Sequence, residues 1–272
     1  MKNFKYYLWL IACSLAFVSC QKVVDIEVNT SSSQIVIEGN LSNIRSTQYV
    51  KISRSVAYTS TNVYPPVSGA DVRVTDNLGN SWKFNESTFA GMYSFGPLRG
   101  QPGRTYTLNV VVEGKTYTGT SVMPDVVPVD SLTLSTITFG STTRKLVAIN
   151  FTDPRGVQNN YRYILRINGR QNNRIYVDDD RLTDGNLIKE ELFPGNDEEE
   201  EENDDLKTGD RAEVEVQNID KKVFNYWFSL RQQSRGGPGG GTTPGNPPSN
   251  LSNNALGYFS AHTYQLYAID IP

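Results

Sequence analysis

From Gln34 onward the chain is written in a two-residue period. "QIVIEGNL" (34–41), "TQYVKISRSV" (47–56) and "ADVRVTD" (70–76) alternate apolar with polar residues. That alternation suits a strand with one face in a core and the other in water, and it is wrong for an amphipathic helix. "SWKFNE", "GMYSF", "TYTLNVVVEG" and "KTYTGTSV" carry the pattern to about Met123. Turn residues separate the runs: Asn77-Leu78-Gly79-Asn80 after the third, and a tight hairpin at Val112-Glu113-Gly114-Lys115 with Gly114 at a positive φ. Seven short strands within residues 34–124 predict a β-sandwich of immunoglobulin-like size. A closed barrel fits the same spacing.

"MPDVVPVD" (123–130) breaks the alternation with two prolines and reads as a linker or a proline-marked edge strand. Beyond it, "SLTLSTITF", "KLVAINFTD", "YRYILRING", "RIYVDDD" and "RAEVEVQNI" alternate again, with turns at Asp153-Pro154-Arg155-Gly156 and Asn168-Gly169. "ALGYFSAHTYQLYAIDI" reads as one or two closing strands of the second sheet. The expected fold is therefore mainly β: two β-sandwich domains in tandem, 34–124 and 125–272. The second carries one helix near 220–234, where Val223, Tyr226, Trp227 and Leu230 fall at i, i+3, i+4 and i+7. Asp220 is its N-cap and Gly236 its stop. Phe224 and Phe228 widen the apolar face, which reads as packing against a sheet. A loop over 235–250 follows, with ten Gly or Pro in "RGGPGGGTTPGNPPSN", too little apolar surface to offset ordering it.

The N-terminus follows other rules. Met1-Lys2-Asn3-Phe4-Lys5 is a basic head, and Tyr6–Ser19 is uncharged, apolar and shorter than the about 20 residues that a membrane-crossing helix needs. Residues 1–19 read as a signal peptide, leaving Cys20 at the start of the mature chain and 20–33 as a tether, with "QKVVDIEV" as linker or docking strand. Cys13 leaves with the signal, so no disulfide is expected. Losing Lys2 and Lys5 takes the basic count from 26 to 24 against 29 acidic residues, so the net charge moves from -3 to -5. An acidic chain without a basic stripe excludes nucleic acid as the expected partner.

The chemistry-bearing residues are few. One histidine, His262, lies in the last β segment, and no G-x-S-x-G elbow presents a serine to it. It reads as a partly exposed strand residue, and no catalytic residue is assigned. Zinc lacks ligands. "DDDRLTDGN" (178–186) clusters carboxylates beside a glycine, so Asp178, Asp180 and Asp184 are calcium candidates, although the order is not that of an EF-hand; a solvated turn is the other reading. Eight acidic residues in "NDEEEEENDD" (196–205) read as an exposed excursion. The Gly-rich loop lacks the Gly-Lys-Ser/Thr ending of a phosphate cradle. No cofactor is expected.

Phe17-Val18-Ser19-Cys20 resembles a bacterial lipoprotein processing box, which implies diacylglycerol on the Cys20 sulfur and a membrane anchor. "SCQKVVDIEV", "IVIEGNLS", "PPVSGADVRVTDNLGN", "GMYSFGPLRGQPGRTYTLNVVVEGKTYTGTSVMP", "FTDPRGVQNNYRY" and "NPPSNLSNNALGYFSA" resemble the domain-of-unknown-function 4249 family of Bacteroidota lipoproteins. The middle segments are also similar to transthyretin-like or carboxypeptidase-regulatory β-sandwich domains. The resemblance implies an outer-membrane location and association with TonB-dependent receptors, and it brings no catalytic residues. Gln21-Lys22 stand where surface-exported lipoproteins of this lineage often carry acidic residues, so the membrane face stays open. The expected function is a non-enzymatic accessory or ligand-capturing partner of a TonB-dependent receptor. The alternatives are a free-standing glycan- or peptide-binding adhesion module, and a hydrolase of unknown substrate, which needs a pocket with a converging carboxylate pair or Ser–His geometry.

Overall fold

The computed structural model describes residues 33–57, 63–194, 205–234 and 245–272. Within them the chain is mainly β, in open sheets packed as a β-sandwich. The seven expected strands of the first region form as β1 (Ile35–Ser42), β2 (Ser46–Arg54), β3 (Asp71–Asp76), β4 (Ser81–Glu86), β5 (Met92–Leu98), β6 (Thr105–Val112) and β7 (Lys115–Val122). Their alternation is realised residue by residue: β1 buries Ile35, Ile37, Gly39 and Leu41 and turns Val36, Glu38, Asn40 and Ser42 outward. The β6–β7 hairpin closes on Glu113 and Gly114, both at positive φ (52° and 73°), a mirror-image turn whose twist matches its strands.

These strands run in the order β1-β2-β5-β4-β3-β6-β7. The β4–β5 link is held by only two residue pairs, Asn85 with Ser94 and Glu86 with Tyr93. Ile37, Val50 and Ile52 share one core with Val72, Val74, Leu108 and Val110.

The second region has β8 (Ser131–Phe139), β9 (Thr142–Thr152), β10 (Asn160–Ile167), β11 (Arg170–Gln171), β12 (Tyr176–Asp179), β13 (Leu187–Leu192) and β14 (Arg211–Asn218). β13-β9-β8 is a separate three-stranded sheet. Val147, Ile149 and Phe151 of β9 share a second core with Tyr161, Tyr163 and Leu165 of β10 and Val214 and Val216 of β14. Phe151 meets Tyr161 edge to face, centroids 4.9 Å apart. The proline-marked segment 123–130 forms no strand, yet its carbonyls are taken up by side chains of the second region. Asn218 Nδ2 donates to Asp125 O and Gln265 Nε2 to Val127 O, each at 2.8 Å.

One strand belongs to both regions. β15 (Leu256–Asp270) pairs in parallel with β1 through residues 256–262, then antiparallel with β14 through 263–270. Phe259 and Ala261 enter the first core, and Ile271 just beyond the strand enters the second. β15 was expected to complete the second sheet; it completes both. Residues 33–272 form one compact unit.

Helix α1 (Lys221–Ser234) forms where expected. Asp220 Oδ1 accepts the amides of Lys222 (2.9 Å) and Val223 (3.0 Å), while Oδ2 accepts from the Ser121 hydroxyl and the Val122 amide of β7. The cap therefore also fixes the helix to the first region. Val223, Phe224, Tyr226, Trp227 and Phe228 pack with Val177, Ile219 and Tyr258. No described helix is long and apolar enough to cross a membrane.

Candidate functional site

Along one side of α1, Lys221, Phe224, Phe228 and Arg231 follow at steps of three and four residues, so each stands over the next. The Phe224 and Phe228 rings stack with centroids 5.4 Å apart. Lys221 Nζ lies 4.3 Å from the Phe224 centroid and Arg231 Cζ 5.0 Å from that of Phe228. Both ends of this ladder are fastened to β12. Lys221 Nζ donates to Asp179 Oδ2 at 3.1 Å; Arg231 Nη1 donates to the Val177 carbonyl and, at 3.5 Å, to Asp178 Oδ1.

Among the described residues, strand β12 pairs with β10 alone. At its free side, the ladder, the β12–β13 turn and β13 enclose a cleft of ≈ 580 Å³, a volume in the small-molecule range. Buried Tyr161 and Tyr163 line it, with Ile188 and Glu190 from β13. Leu182, also lining it, is 95% exposed, a large apolar side chain left in water.

Two carboxyls meet in the cleft. Glu190 and Asp178 are hydrogen-bonded to each other; burial, then the Asp178 charge, pushes Glu190 up to about 8, with Arg231 opposing. Asp178 is also raised, by burial first, against the pull of Arg231. Each carboxyl is thus harder to ionise than it would be alone, and the two titrate as a pair. Beside them Asp179 behaves in the opposite way. Burial raises it, but the hydrogen bonds from Arg181 and Lys221 win, and it is held below the usual carboxylate value.

Behind the turn lies a second acidic group. Asp153, at the end of β9, comes together with Asp180 and Asp184, one carboxylate oxygen from each within 4.8 Å of the others. Carboxylates at this spacing can share a hard cation. Their hydrogen bonds come from Tyr161 Oη and Gly185 N to Asp153, Asn159 N to Asp180 (2.6 Å) and Gly156 N to Asp184 (2.6 Å). Of the calcium candidates, Asp180 and Asp184 are brought together here, with Asp153 as the third member. Asp178 stands apart, facing Glu190.

On the opposite face of β10 and β15, α1 packs over the strands. Arg162 stacks 3.7 Å from the Trp227 centroid, and Tyr258 packs against both Tyr226 (5.0 Å) and Trp227 (5.1 Å). His262 was expected to be partly exposed, but it is only 4% exposed, hydrogen-bonded to Ser260 Oγ at 3.0 Å. Burial, then the Arg162 charge, pushes its imidazole down to about 3, so it is neutral. Neither Ser260 nor His262 lines the cleft.

The family model described as Domain of unknown function (DUF4249) matches residues 21–267. The chain belongs to this family. No match to it is found among curated proteins.

In this DUF4249 chain several expected features lie outside the described residues: Cys20 with its signal and tether, most of the acidic run, and residues 235–244 of the Gly/Pro loop. Sequence reasoning treated Phe224 and Phe228 as core and did not single out Lys221, Arg231 or Glu190. The available signal was the 3-4-3 spacing of cation, ring, ring and cation on one helix face. Asp153 was read as turn punctuation; only the meeting of β9 with the β12–β13 turn makes it a partner of Asp180.

Proposed function

We propose that this DUF4249 protein is a non-enzymatic, lipid-anchored outer-membrane protein that captures a ligand for a TonB-dependent receptor or docks on one. The observation that carries the capture half is the cleft beside α1, where two carboxyls, two aromatic walls and an exposed leucine converge. The anchor half is supported by the Phe17-Val18-Ser19-Cys20 box after a basic and apolar leader. The receptor half is supported by the family resemblance. Purification from detergent-solubilised outer membrane tests it: a receptor should co-elute with the full chain. A protein that reproducibly elutes alone sinks the receptor half.

A peptide-binding module is the second reading, favoured by one observation. Among the described residues β8 pairs with β9 alone, leaving its nine-residue outer edge open to an added strand. The hydrolase reading asked for converging carboxylates or Ser–His geometry in a pocket; Ser260 and His262 pair away from the cleft, while Asp178 and Glu190 do converge in it. Their direct hydrogen bond, however, leaves none of the about 5 Å or more that glycoside hydrolysis sets between its two carboxyls.

A further inference from the structure

The cleft has a definite chemistry. It brings the Asp178 and Glu190 carboxyls together at one spot, with Arg231 beside Asp178, and surrounds them with apolar surface from Ile188, Leu182, Phe224 and Phe228. The neighbouring cations are already engaged. Arg181 Nε and Lys221 Nζ bond Asp179, and Arg231 bonds the Val177 carbonyl and Asp178.

Three ligand classes fit poorly. An anion would have to displace those ion pairs and then face two carboxyls. A calcium ion takes about six to eight oxygens, and only two carboxyl groups meet here amid apolar walls. A sugar ring stacks on an open aromatic face, but the Phe224 and Phe228 faces cover each other and are flanked by Lys221 and Arg231. What remains is an organic cation, which forms charge-assisted hydrogen bonds to carboxylates and buries its carbon body against the walls.

We propose that the cleft binds small primary amines, with the ammonium group hydrogen-bonded to Asp178 and Glu190 and the apolar body lying against Phe224, Phe228 and Leu182. Three ammonium N–H groups can serve both carboxyls and still leave one for water. The carbon chain would cover Leu182, which otherwise stays in solvent. Arg231 holds Asp178 in place from the helix side, so the cation enters a site already shaped. The inference rests on the capture reading, and it is independent of any receptor.

Calorimetric titration of the full-length chain in detergent, with 2-phenylethylamine and with 2-phenylethanol as its uncharged counterpart, tests the site. The amine should bind at least about tenfold more tightly than the alcohol, the worth of one charge-assisted hydrogen bond. At pH 9, above the raised value of Glu190, Glu190→Gln removes a carboxylate and should weaken amine binding by about tenfold or more while leaving the alcohol unchanged. The Gln amide can still donate to Asp178, so at pH 6 this variant should melt as the parent does. If it fails to fold, Asp178→Asn gives the same readout, and the amine-to-alcohol ratio of the parent stands without any variant. No amine binding at millimolar concentration, equal binding of amine and alcohol, or full amine affinity in a folded Glu190→Gln chain each overturns the proposal. A chain that binds amine yet elutes without a receptor keeps the site and loses the partner. One that co-elutes with a receptor but ignores amine loses the ligand class alone.

Discussion

Asp76 and Asp180 are both buried aspartates at turns, 7% and 4% exposed, and they behave in opposite ways. In the first region Asp76 accepts the amides of Leu78 (3.0 Å) and Asn80 (2.9 Å), the Asn80 side chain (2.8 Å) and Arg104 Nη1 (2.8 Å). Burial alone would raise its pKa, but those donors prevail and hold it below the usual value. In the second region Asp180 accepts the Asn159 amide, yet burial and the charges of Asp153 and Asp184 push it up. The first region neutralises what it buries and so serves as scaffold. The second accumulates negative charge at one end of β12, and the cleft lies there. Unbalanced buried charge is a cost to stability, and it marks where a ligand can be recognised.

The largest test of this contrast is whether the regions are separable at all. Gly257 sits at φ +89°, and a Cβ there would stand 2.1 Å from the Ile37 carbonyl oxygen. Gly257→Ala should break the β1–β15 pairing and cost about 3–5 kcal/mol, read from the urea midpoint. Trp82 reports on the first region and Trp227 on the second, so fluorescence of single-tryptophan versions follows each. Both signals should be lost together, and loss of Trp82 alone would show two independent units.

Asp76→Ala comes next, with an expected loss of about 2 kcal/mol at neutral pH because buried donors lose their acceptor. Asp76 is lowered in the fold, so its stabilisation is complete above the ordinary value of 3.8 and fades as pH falls below it. Parent and variant should therefore converge in acid.

Asp180→Asn should do the reverse and stabilise the chain by about 1 kcal/mol at neutral pH, since the amide keeps an acceptor and removes a repelled charge. The Asp180 carboxyl is raised above 3.8, so the cost of ionising it is absent below that pH and sets in as pH rises through the folded value. A destabilised Asp180→Asn at pH 7 would break the comparison.

Glu190→Gln is the smallest effect, within about 0.5 kcal/mol at pH 6, where the parent carboxyl is protonated in the fold. The parent should lose stability as pH rises from 4.5, the ordinary value, to about 8, because the unfolded chain sheds this proton first. In the variant that decline should flatten, as thermal melts across the range would show.

β1 to β7 were legible because each strand keeps one face in a single core, so alternation survives in the letters. β13 was not. In "LIKEEL" Leu187 points out, 73% exposed, while Glu190 takes an inward position facing the cleft. A carboxylate where an apolar residue belongs hides the strand, and the same residue makes the site. His262 was misplaced for a related reason: Gly257–Thr263 of β15 are buried on both faces, under the first core and under α1, which erases the polar beat. The acidic cluster was half legible. Asp180 and Asp184 are neighbours in sequence, whereas Asp153 reaches them only through the pairing of β9 with β13.

The shared strand also fixes an order of assembly. Val36 of β1 must wait for Leu256 before its parallel partner exists, and β14 waits for the same strand from the other side. Among the described strands β15 is synthesised after all the others, so neither sheet can be finished while the chain is still being made. Contacts this distant in sequence form slowly. β1 and β14 therefore gain their last described partner from the same late strand, so a chain stopped short of residue 256 leaves both of those edges open.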